Sequence, residues 1–390
     1  MAAERPAGGG GLLPAFRLER FFAKHEFAGE PLLLCVSDAA PLPLRELLST
    51  AEEDVLHQYE DSVLTYSESL GLPGLREEVA KLHGCSADSV LSCVPAEGIL
   101  LAHALLRPGD HVVVIAPGYQ SLFTLAQSLG CDCTPWTPSR DAAGALRFQV
   151  AALRQLVRPT TRLIVINFPH NPTGAVLTDR ELAEVVAIAR GCSNGGAILF
   201  SDEMYRGQLT AHATDGHRAC PTAIAAYDRA LVLGGLSKSY GCPGLRAGWL
   251  VTQDTAMFSQ LASARDYTTI CGCKPGELLS LMALRAGPRL MARVAAVCAA
   301  NLPLLDAFFA RHATEWEYTA PVGGTTCFPR LLTGEPADVF CERCRLGCNV
   351  VLLPSSVYDF VTPGEERVRI GFGRDDFPKV LATFERWMYS

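Results

Sequence analysis

Short runs of aliphatic residues alternate with amphipathic stretches through the middle of the chain. Continuous apolar runs of this length are typical of strands buried on both faces, and the stretches between them have helical periodicity. This alternation predicts a mainly parallel sheet with helices on both sides. The predicted strands are residues 90–94, 111–117, 162–168, 197–202, 230–236 and 248–252. The predicted helices between them are residues 98–106, 119–128, 179–192 and a stretch around 220–227.

The pattern changes near residue 288. A long helical pattern over residues 288–312 leads into short strand candidates and a final helix over 378–388. Helical patterns over 17–27 and 44–56 precede the first strand of the sheet. The sequence therefore predicts four regions: a disordered N-terminus (1–14), a segment that packs on the small domain (15–47), a large α/β domain (48–287) and a small α+β domain (288–390).

Charge and hydropathy limit the classes of function. The net charge of −7 and the pI near 5.8 argue against a nucleic-acid-binding protein, which shows a basic excess. The apolar runs are strand-sized, so we expect no membrane span, and the first residues lack the charged-then-apolar pattern of a secretion signal. We therefore expect a cytoplasmic protein that binds neither nucleic acid nor membranes.

The fifteen cysteines are scattered and odd in number, which favours free thiols over a disulfide framework. Cys341, Cys344 and Cys348 have spacing that could suit a metal. The first two lie three apart in a helical pattern, which places them on one apolar face, so we predict core thiols and no metal site. The Cys271 and Cys273 pair is left without an assigned role.

Polar side chains follow the ends of several predicted strands. Ligands of a doubly wound sheet bind beyond the carboxyl ends of its strands, so these residues are candidates for one site. Each has an ordinary structural explanation when taken singly, such as a turn at Asn171 or a helix cap at Asp202. Together they form an unusual group: Tyr119, Asn171, Asp202, Tyr205, Ser237 and Lys238, with Arg246 nearby.

Lys238 is notable because the chain has only five lysines against 29 arginines. Unlike arginine, lysine can lose its proton and act as a nucleophile. Pyridoxal phosphate (PLP) needs a lysine that holds it as a Schiff base, a carboxylate at its ring nitrogen, donors to its phenolic oxygen, an aromatic face and a phosphate pocket. The chain supplies these as Lys238, Asp202, Asn171 with Tyr205, Tyr119, and Ser237 with Arg246.

These residues lie in motifs that, as a set, resemble the class I/II aminotransferases, which are PLP-dependent enzymes of fold type I. The motifs are Tyr66 in YSESLGLPGLRE, PGY ending at Tyr119, NPTG from Asn171, DEMY from Asp202, SKSYGCPGLR around Lys238 and Arg369 in VRIGFG. The resemblance covers nearly the whole chain. It implies a mainly parallel seven-stranded sheet sandwiched by helices, and a smaller α+β C-terminal domain.

The resemblance also implies roles for residues in the site. Arg369 would bind the α-carboxylate of the substrate, with Asn171 beside it. Tyr66 would reach the phosphate in the neighbouring subunit, which implies a homodimer with shared sites. Residues 16–27 would close over the site.

The sequence departs from the family at two places. The first phosphate-binding turn contains Pro95, which has no N–H, so Ala96 and Glu97 are expected to supply backbone donors. The family often has a hydroxyl three residues before the lysine, where this chain has Gly235.

The expected reaction is transfer of the α-amino group of an L-amino acid to a 2-oxo acid, with Lys238, Asp202 and Tyr205 as catalytic residues. Some motifs are also similar to the capreomycidine synthase branch, so a PLP-dependent lyase or cyclase remains the alternative. By the resemblance, residues 268–274 of the partner subunit would reach the distal end of the substrate. They contain Lys274, hydroxyls and thiols but no arginine, which disfavours a dicarboxylic substrate; the alternative is that this stretch is an ordinary loop.

Overall fold

A computed structural model describes residues 13–141, 144–192, 195–217 and 222–389. The strands are β1 (Leu32–Leu33), β2 (Val90–Cys93), β3 (His111–Ile115), β4 (Asp132–Trp136), β5 (Ser139–Arg140), β6 (Leu146–Arg147), β7 (Thr161–Asn167), β8 (Ile198–Asp202), β9 (Ala230–Gly235), β10 (Gly248–Val251), β11 (Trp316–Glu317), β12 (Thr326–Cys327), β13 (Arg330–Leu331), β14 (Val350–Val351), β15 (Leu353–Pro354) and β16 (Val368–Gly371).

The helices alternate with these strands through the large domain. They are α1 (Arg17–His25), α2 (Leu44–Leu48), α3 (Glu53–Glu60), α4 (Pro73–His83), α5 (Pro95–His103), α6 (Ser121–Ser128), α7 (Val150–Leu156), α8 (Asp179–Arg190), α9 (Thr255–Arg265), α10 (Lys274–Arg285), α11 (Gly287–Arg311), α12 (Ala337–Cys348) and α13 (Phe377–Met388).

Seven strands form the central sheet in the order β2-β10-β9-β8-β7-β3-β4. Strand β10 runs antiparallel to both of its neighbours, and the other pairs are parallel. The predicted fold class is therefore confirmed, and each of the six predicted strands is present within two residues of its expected ends. The seventh strand, β4, was not predicted. It is an edge strand that begins at an exposed aspartate and contains Pro135. Aspartate and proline are both uncommon in strands, so the sequence of β4 resembles a loop.

Two helix predictions differ from the structure. Helix α5 begins at Pro95, three residues earlier than expected, because proline is well suited to the first position of a helix. The predicted helix around 220–227 is wrong over its described part, where Ala223–Ala225 forms a single 3₁₀ turn. Helix α8 begins with a capping box, in which Thr178 and Glu181 are hydrogen-bonded in both directions.

The small domain has its own apolar core, to which the N-terminal segment contributes. Strand β1 pairs in parallel with β14, and Leu34 and Ala39 are buried in this core. Cys341 and Cys344 lie buried in the same core on α12. The four-region division itself stays a prediction, and most of its first region, 1–14, lies outside the described residues.

Helix α11 corrects one expectation, since it is long and apolar enough to cross a membrane by length and composition. Its buried positions include Leu290, Val294 and Phe308, which are spaced to form one face. That face packs within the protein, and a single helix of this length and composition is weak evidence for a membrane span.

Candidate active site

A cavity of about 500 Å³ lies at the carboxyl ends of the parallel strands, where the sheet meets α1 and β16. It is lined by nine of the eleven predicted site residues: Ala96, Tyr119, Asn171, Asp202, Tyr205, Ser237, Lys238, Arg246 and Arg369. Tyr66 and Glu97 do not line it. The grouping expected from strand ends is thus present in the structure.

Lys238 lies three residues after the end of β9 and is partly buried in the wall of this cavity. Its Nζ donates a 3.1 Å hydrogen bond to Ser37 Oγ and lies 5.9 Å from the centre of the Tyr205 ring. Burial lowers the pKa of Lys238 to about 8, and the negative charge of Asp38 partly opposes this shift. At pH 7 roughly a tenth of the amine is then unprotonated, far more than for an ordinary lysine with a pKa of about 10.4, and the neutral form is the nucleophile.

Asp202 is the last residue of β8, and its carboxylate is buried beside the same cavity. Its Oδ1 accepts a 3.1 Å hydrogen bond from the backbone N–H of Met204. Burial raises the pKa of Asp202 to about 6, and this hydrogen bond opposes the shift. A buried carboxylate of this kind is stabilised by a cationic partner, such as a protonated ring nitrogen.

Arg369, on β16, is only 1% exposed and is held from three sides. Its Nε donates to Cys35 O at 2.9 Å, and its Nη1 donates to Asn171 Oδ1 at 3.2 Å and to the Tyr358 hydroxyl at 3.1 Å. Its Nη2 is buried without a hydrogen-bond partner in the described part of the chain. A substrate carboxylate is the kind of acceptor that would satisfy this nitrogen.

A second unsatisfied donor marks the expected phosphate pocket. The Ser237 hydroxyl is buried and has no partner among the described residues. Ala96 lies in the first turn of α5, where backbone N–H groups are free to bind an anion. Arg246 adopts a left-handed conformation (φ 51°) after the 3₁₀ turn at Pro243–Leu245, and this returns it to the cavity.

The side chain of Glu97 does not line the cavity. Its carboxylate turns back to accept from the backbone N–H of Val94 at 3.3 Å and from the Thr269 hydroxyl at 2.7 Å. This is the ordinary geometry of an acidic residue at the third position of a helix. The side chain therefore caps α5 and binds the 268–274 segment; the role of its backbone N–H stays a prediction.

The packing around Gly235 explains the missing hydroxyl. A Cβ at this position would lie 3.0 Å from the Ala247 carbonyl oxygen and 3.0 Å from Met204 Sδ. Both distances are tighter than most Cβ contacts, so a side chain here would require the Ala247 carbonyl and Met204 to shift by a few tenths of an ångström. The hydroxyl of Ser237 is instead the one that lies in the cavity wall.

Two of the predicted tyrosines, Tyr119 and Tyr205, line the cavity. The Tyr205 hydroxyl donates to Ser37 O at 3.1 Å, and burial raises the pKa of Tyr205 to about 12. The Tyr119 hydroxyl donates to Glu19 Oε1 at 2.8 Å, and its ring lies 5.0 Å from that of Phe16. Both phenols are therefore protonated at neutral pH, and Tyr119 contacts the N-terminal segment.

Part of the N-terminal segment, residues 16–27, lines the cavity; its closure over the site stays a prediction. Leu18, Glu19, Phe22 and Glu26 all line it. The ring of Phe22 lies 5.6 Å from the Arg369 guanidinium carbon, and Arg17 forms an ion pair with Asp359 of the small domain. Helix α1 therefore forms part of the site wall.

Sequence reasoning missed three contributors to the site. Asn167 donates from Nδ2 to the Asp202 carbonyl oxygen at 3.1 Å and accepts from the backbone N–H of Asn171 at 3.1 Å. As the last residue of β7, it carries the same strand-end signal as Asp202. Ser37 and Tyr358 lie in irregular segments, where no periodic pattern marks them.

Comparison with known proteins agrees with this geometry. The model of the aminotransferase class I and II family matches residues 30–377. Capreomycidine synthase of Streptomyces vinaceus is 33% identical over 277 residues, which cover 70% of this chain and 67% of that protein. A PLP-dependent aminotransferase from Streptococcus suis superposes with a TM-score of 0.86 at 28% identity, covering 97% of this chain and 98% of that one. The PLP-dependent cyclase OrfR gives 0.85 at 26% identity, covering 100% and 99%.

The fold, the site and these similarities assign the protein to a class of PLP-dependent enzymes. The chain belongs to the class I and II aminotransferase family, which confirms the resemblance noted in its motifs. Its cofactor is pyridoxal phosphate. The residues present fit that group, because the cavity offers a buried amine, a buried carboxylate and an unsatisfied hydroxyl together.

Proposed function

We propose that this protein transfers the α-amino group of an L-amino acid to a 2-oxo acid, with Lys238 as the residue that binds the cofactor. The observation that carries the proposal is the placement of Lys238, Asp202 and Arg369 in one cavity. These residues offer a nucleophilic amine, a buried anion and a carboxylate-binding guanidinium, which are the groups that amino-group transfer needs.

When bound, pyridoxal phosphate supplies a carbonyl carbon and a ring that withdraws electrons from the substrate α-carbon. Asp202 would hold a proton on the ring nitrogen. Asn171 and Tyr205 would donate to the phenolic oxygen, with the Tyr205 hydroxyl turning from Ser37 O, to which it donates in this structure. Ser237, Arg246 and the first turn of α5 bind the phosphate.

The other residues orient the substrate and move its proton. Arg369 holds the α-carboxylate, with Asn171 fixing one side of the guanidinium at 3.2 Å. This places the α-hydrogen toward Lys238, whose Nζ takes up that proton and returns it. The Ser37 hydroxyl, 3.1 Å from Nζ, keeps the amine in position between these steps.

A lyase or cyclase reaction is the second candidate. The similarity to capreomycidine synthase and to the cyclase OrfR favours it, because both cover most of this chain. Proton removal by Lys238 is common to both candidates. They differ afterwards, because transfer returns the proton and releases a 2-oxo acid, whereas elimination or cyclisation expels a group from the side chain.

Single-turnover product analysis separates them. The holoenzyme is mixed with one amino acid and no 2-oxo acid, and the released products are quantified. Transfer predicts one equivalent of 2-oxo acid per site, after which the reaction stops until a second 2-oxo acid is added. Continued turnover without 2-oxo acid, with release of ammonia or water, would contradict the transferase proposal.

We also propose that two subunits share each site. Tyr66 is 79% exposed, and other large apolar side chains near it in sequence, Val63 and Leu64, are exposed as well. Tyr267 and Ile270 form a second exposed group. Apolar surface of this kind is typical of a protein interface.

Subunit mixing tests this arrangement. Tyr66→Phe and Lys238→Ala chains are each expected to be impaired as pure proteins. Mixed dimers regain activity if Tyr66 acts across the interface, because one of their two sites then has both residues. A monomer in sedimentation, or mixtures no more active than the sum of their parts, would overturn the shared site.

The proposed compartment is the cytoplasm. Fourteen cysteines in the described ranges are all free thiols, as expected in a reducing compartment. Cell fractionation against a periplasmic or secreted marker tests this location.

A further inference from the structure

We propose that Glu19 and Glu26 form a subsite for a positively charged group, so that the substrate is an L-amino acid with a basic side chain. This inference rests on the proposed function, because it uses Arg369 and Lys238 as the sites of the α-carboxylate and α-amine. It adds the class of substrate, which neither of those residues determines.

The two carboxylates lie on one face of the N-terminal segment that lines the cavity. Positions 19, 22 and 26 follow one another at the three- and four-residue spacing of a helical face, and all three line the cavity. The ring of Phe22, between them in sequence, lies 5.6 Å from the guanidinium carbon of Arg369. A side chain that extends from a substrate held by Arg369 therefore meets this face.

The basic residues of the same helix point elsewhere. Arg20 and Lys24 are exposed and do not line the cavity. Helix α1 thus presents acidic groups inward and basic groups outward. A cavity wall built in this way attracts cations and repels a second carboxylate.

The remaining charges of the cavity have assigned or visible partners. Asp38 pairs with Arg374 at 2.7 Å. Asp202 and Arg246 serve the cofactor in the proposed function, and Arg369 serves the α-carboxylate. Among the acidic residues that line the cavity, Glu19 and Glu26 are therefore the two to which neither an ion pair nor a role toward the cofactor has been assigned.

Neither carboxylate forms an ion pair within the described ranges. Glu19 accepts a neutral hydrogen bond from the Tyr119 hydroxyl, at 2.8 Å, and the Glu26 side chain forms neither a hydrogen bond nor an ion pair there. Partial burial raises the pKa of Glu26 and the negative charge of Asp38 adds to this effect, while the positive charges of Arg374 and Lys238 oppose it from beyond ion-pair distance. A guanidinium or ammonium group at this point would supply the missing charge and donors.

The surrounding surface suits the stem of such a side chain. Leu18 and Phe22 provide apolar contacts beside the two carboxylates. Long basic side chains bury their methylene groups along apolar surface while the charged end reaches a polar partner. An arginine- or lysine-like side chain matches that arrangement, whereas a short or acidic one does not.

Ligand binding to the holoenzyme tests the subsite without relying on turnover. L-arginine and its neutral isostere L-citrulline are titrated against the wild type, and their dissociation constants are measured by calorimetry and by the change in cofactor absorbance. We expect arginine to bind about 10- to 100-fold more tightly, as for hydrogen bonds between charged groups. Glu26→Gln and Glu19→Gln should each reduce this preference by about tenfold or more. The exposed Glu53→Gln is the matched control and should leave it unchanged.

The outcomes separate this inference from the proposed function. Equal binding of arginine and citrulline, or a variant that weakens both equally, overturns the subsite while leaving the transferase proposal intact. Tightest binding of L-glutamate or L-aspartate also overturns it. A protein whose absorbance responds to no amino acid overturns both.

Discussion

The side-chain amide of Asn171, at the rim of the large-domain sheet, accepts a 3.2 Å hydrogen bond from Nη1 of Arg369 on β16, although 198 residues separate them in the chain. The bond joins the cofactor region to the proposed substrate-binding arginine. Because Nε is held by Cys35 O, the guanidinium has one orientation, with Nη2 left for a ligand. The geometry of substrate binding is therefore set by contacts between the two domains.

Substitution of Arg369 by lysine tests this arrangement. Lysine cannot reproduce the planar fork that holds Cys35 O and a carboxylate together, so we expect kcat/KM for the amino acid to fall by about 10- to 1000-fold, mainly through KM. Steady-state kinetics measure this, with cofactor absorbance as a check on folding. Arg343→Lys, at a surface ion pair with Glu335, serves as the control. Wild-type KM in Arg369→Lys would contradict the role.

Asp202→Asn removes the buried negative charge and leaves a side chain of similar shape. The ring nitrogen then loses its anionic partner, and we expect kcat to fall by about 10²- to 10⁴-fold, the range for loss of a group that holds or moves a proton. Cofactor content, measured by absorbance after dialysis, should fall much less than kcat. Retention of more than half of wild-type kcat would show that Asp202 does not act on the ring.

The depressed pKa of Lys238 predicts the pH dependence of cofactor attachment. The neutral amine is the reactive form, and burial places its pKa at about 8 rather than the usual ~10.4. The rate at which apoprotein recombines with pyridoxal phosphate should therefore rise with pH and level off above about 8 to 9. Stopped-flow absorbance across pH 6 to 11 measures it, and a rate that keeps rising to pH 10 would indicate an ordinary lysine.

Gly235→Ser introduces the hydroxyl that the family often has at this position. The new Cβ would crowd the Ala247 carbonyl oxygen and the Met204 side chain, so the free energy of unfolding should fall by about 1–3 kcal/mol. Gly244→Ser is the matched control, since a Cβ there meets no atom within 4 Å. Urea denaturation of both variants decides the matter. Equal stability of the two would mean that the position has room.

The strand ends were the most informative part of the sequence. Asp202 and Lys238 could be placed at one rim because continuous apolar runs marked β8 and β9 and the residues after them were polar. Asn167 also lies at the end of a continuous apolar run, so the same reasoning would have predicted it as a site residue. Strand β4 was not predicted because an edge strand need not be apolar throughout, and its proline and aspartate are residues typical of loops.

Contacts that depend on tertiary packing could not be predicted. Ser37 reaches Lys238 from 201 positions away, in a segment without regular structure. Glu97 has the residue type and position of a helix cap, and only the fold shows that its carboxylate turns toward Thr269. Helix α11 is long and apolar enough to span a membrane, yet one of its faces packs in the protein core, and composition alone does not show that packing.

The central claim is that the buried amine of Lys238 holds the cofactor, and one absorbance measurement tests it most directly. Wild-type protein and the Lys238→Ala and Lys81→Ala variants are saturated with pyridoxal phosphate, dialysed and scanned; Lys81 is a surface lysine paired with Glu78. The account predicts that wild type and Lys81→Ala keep a yellow band near the visible–ultraviolet edge, whereas folded Lys238→Ala loses the band of covalently held cofactor. A colourless wild type, or a Lys238→Ala spectrum identical to that of wild type, would contradict the account.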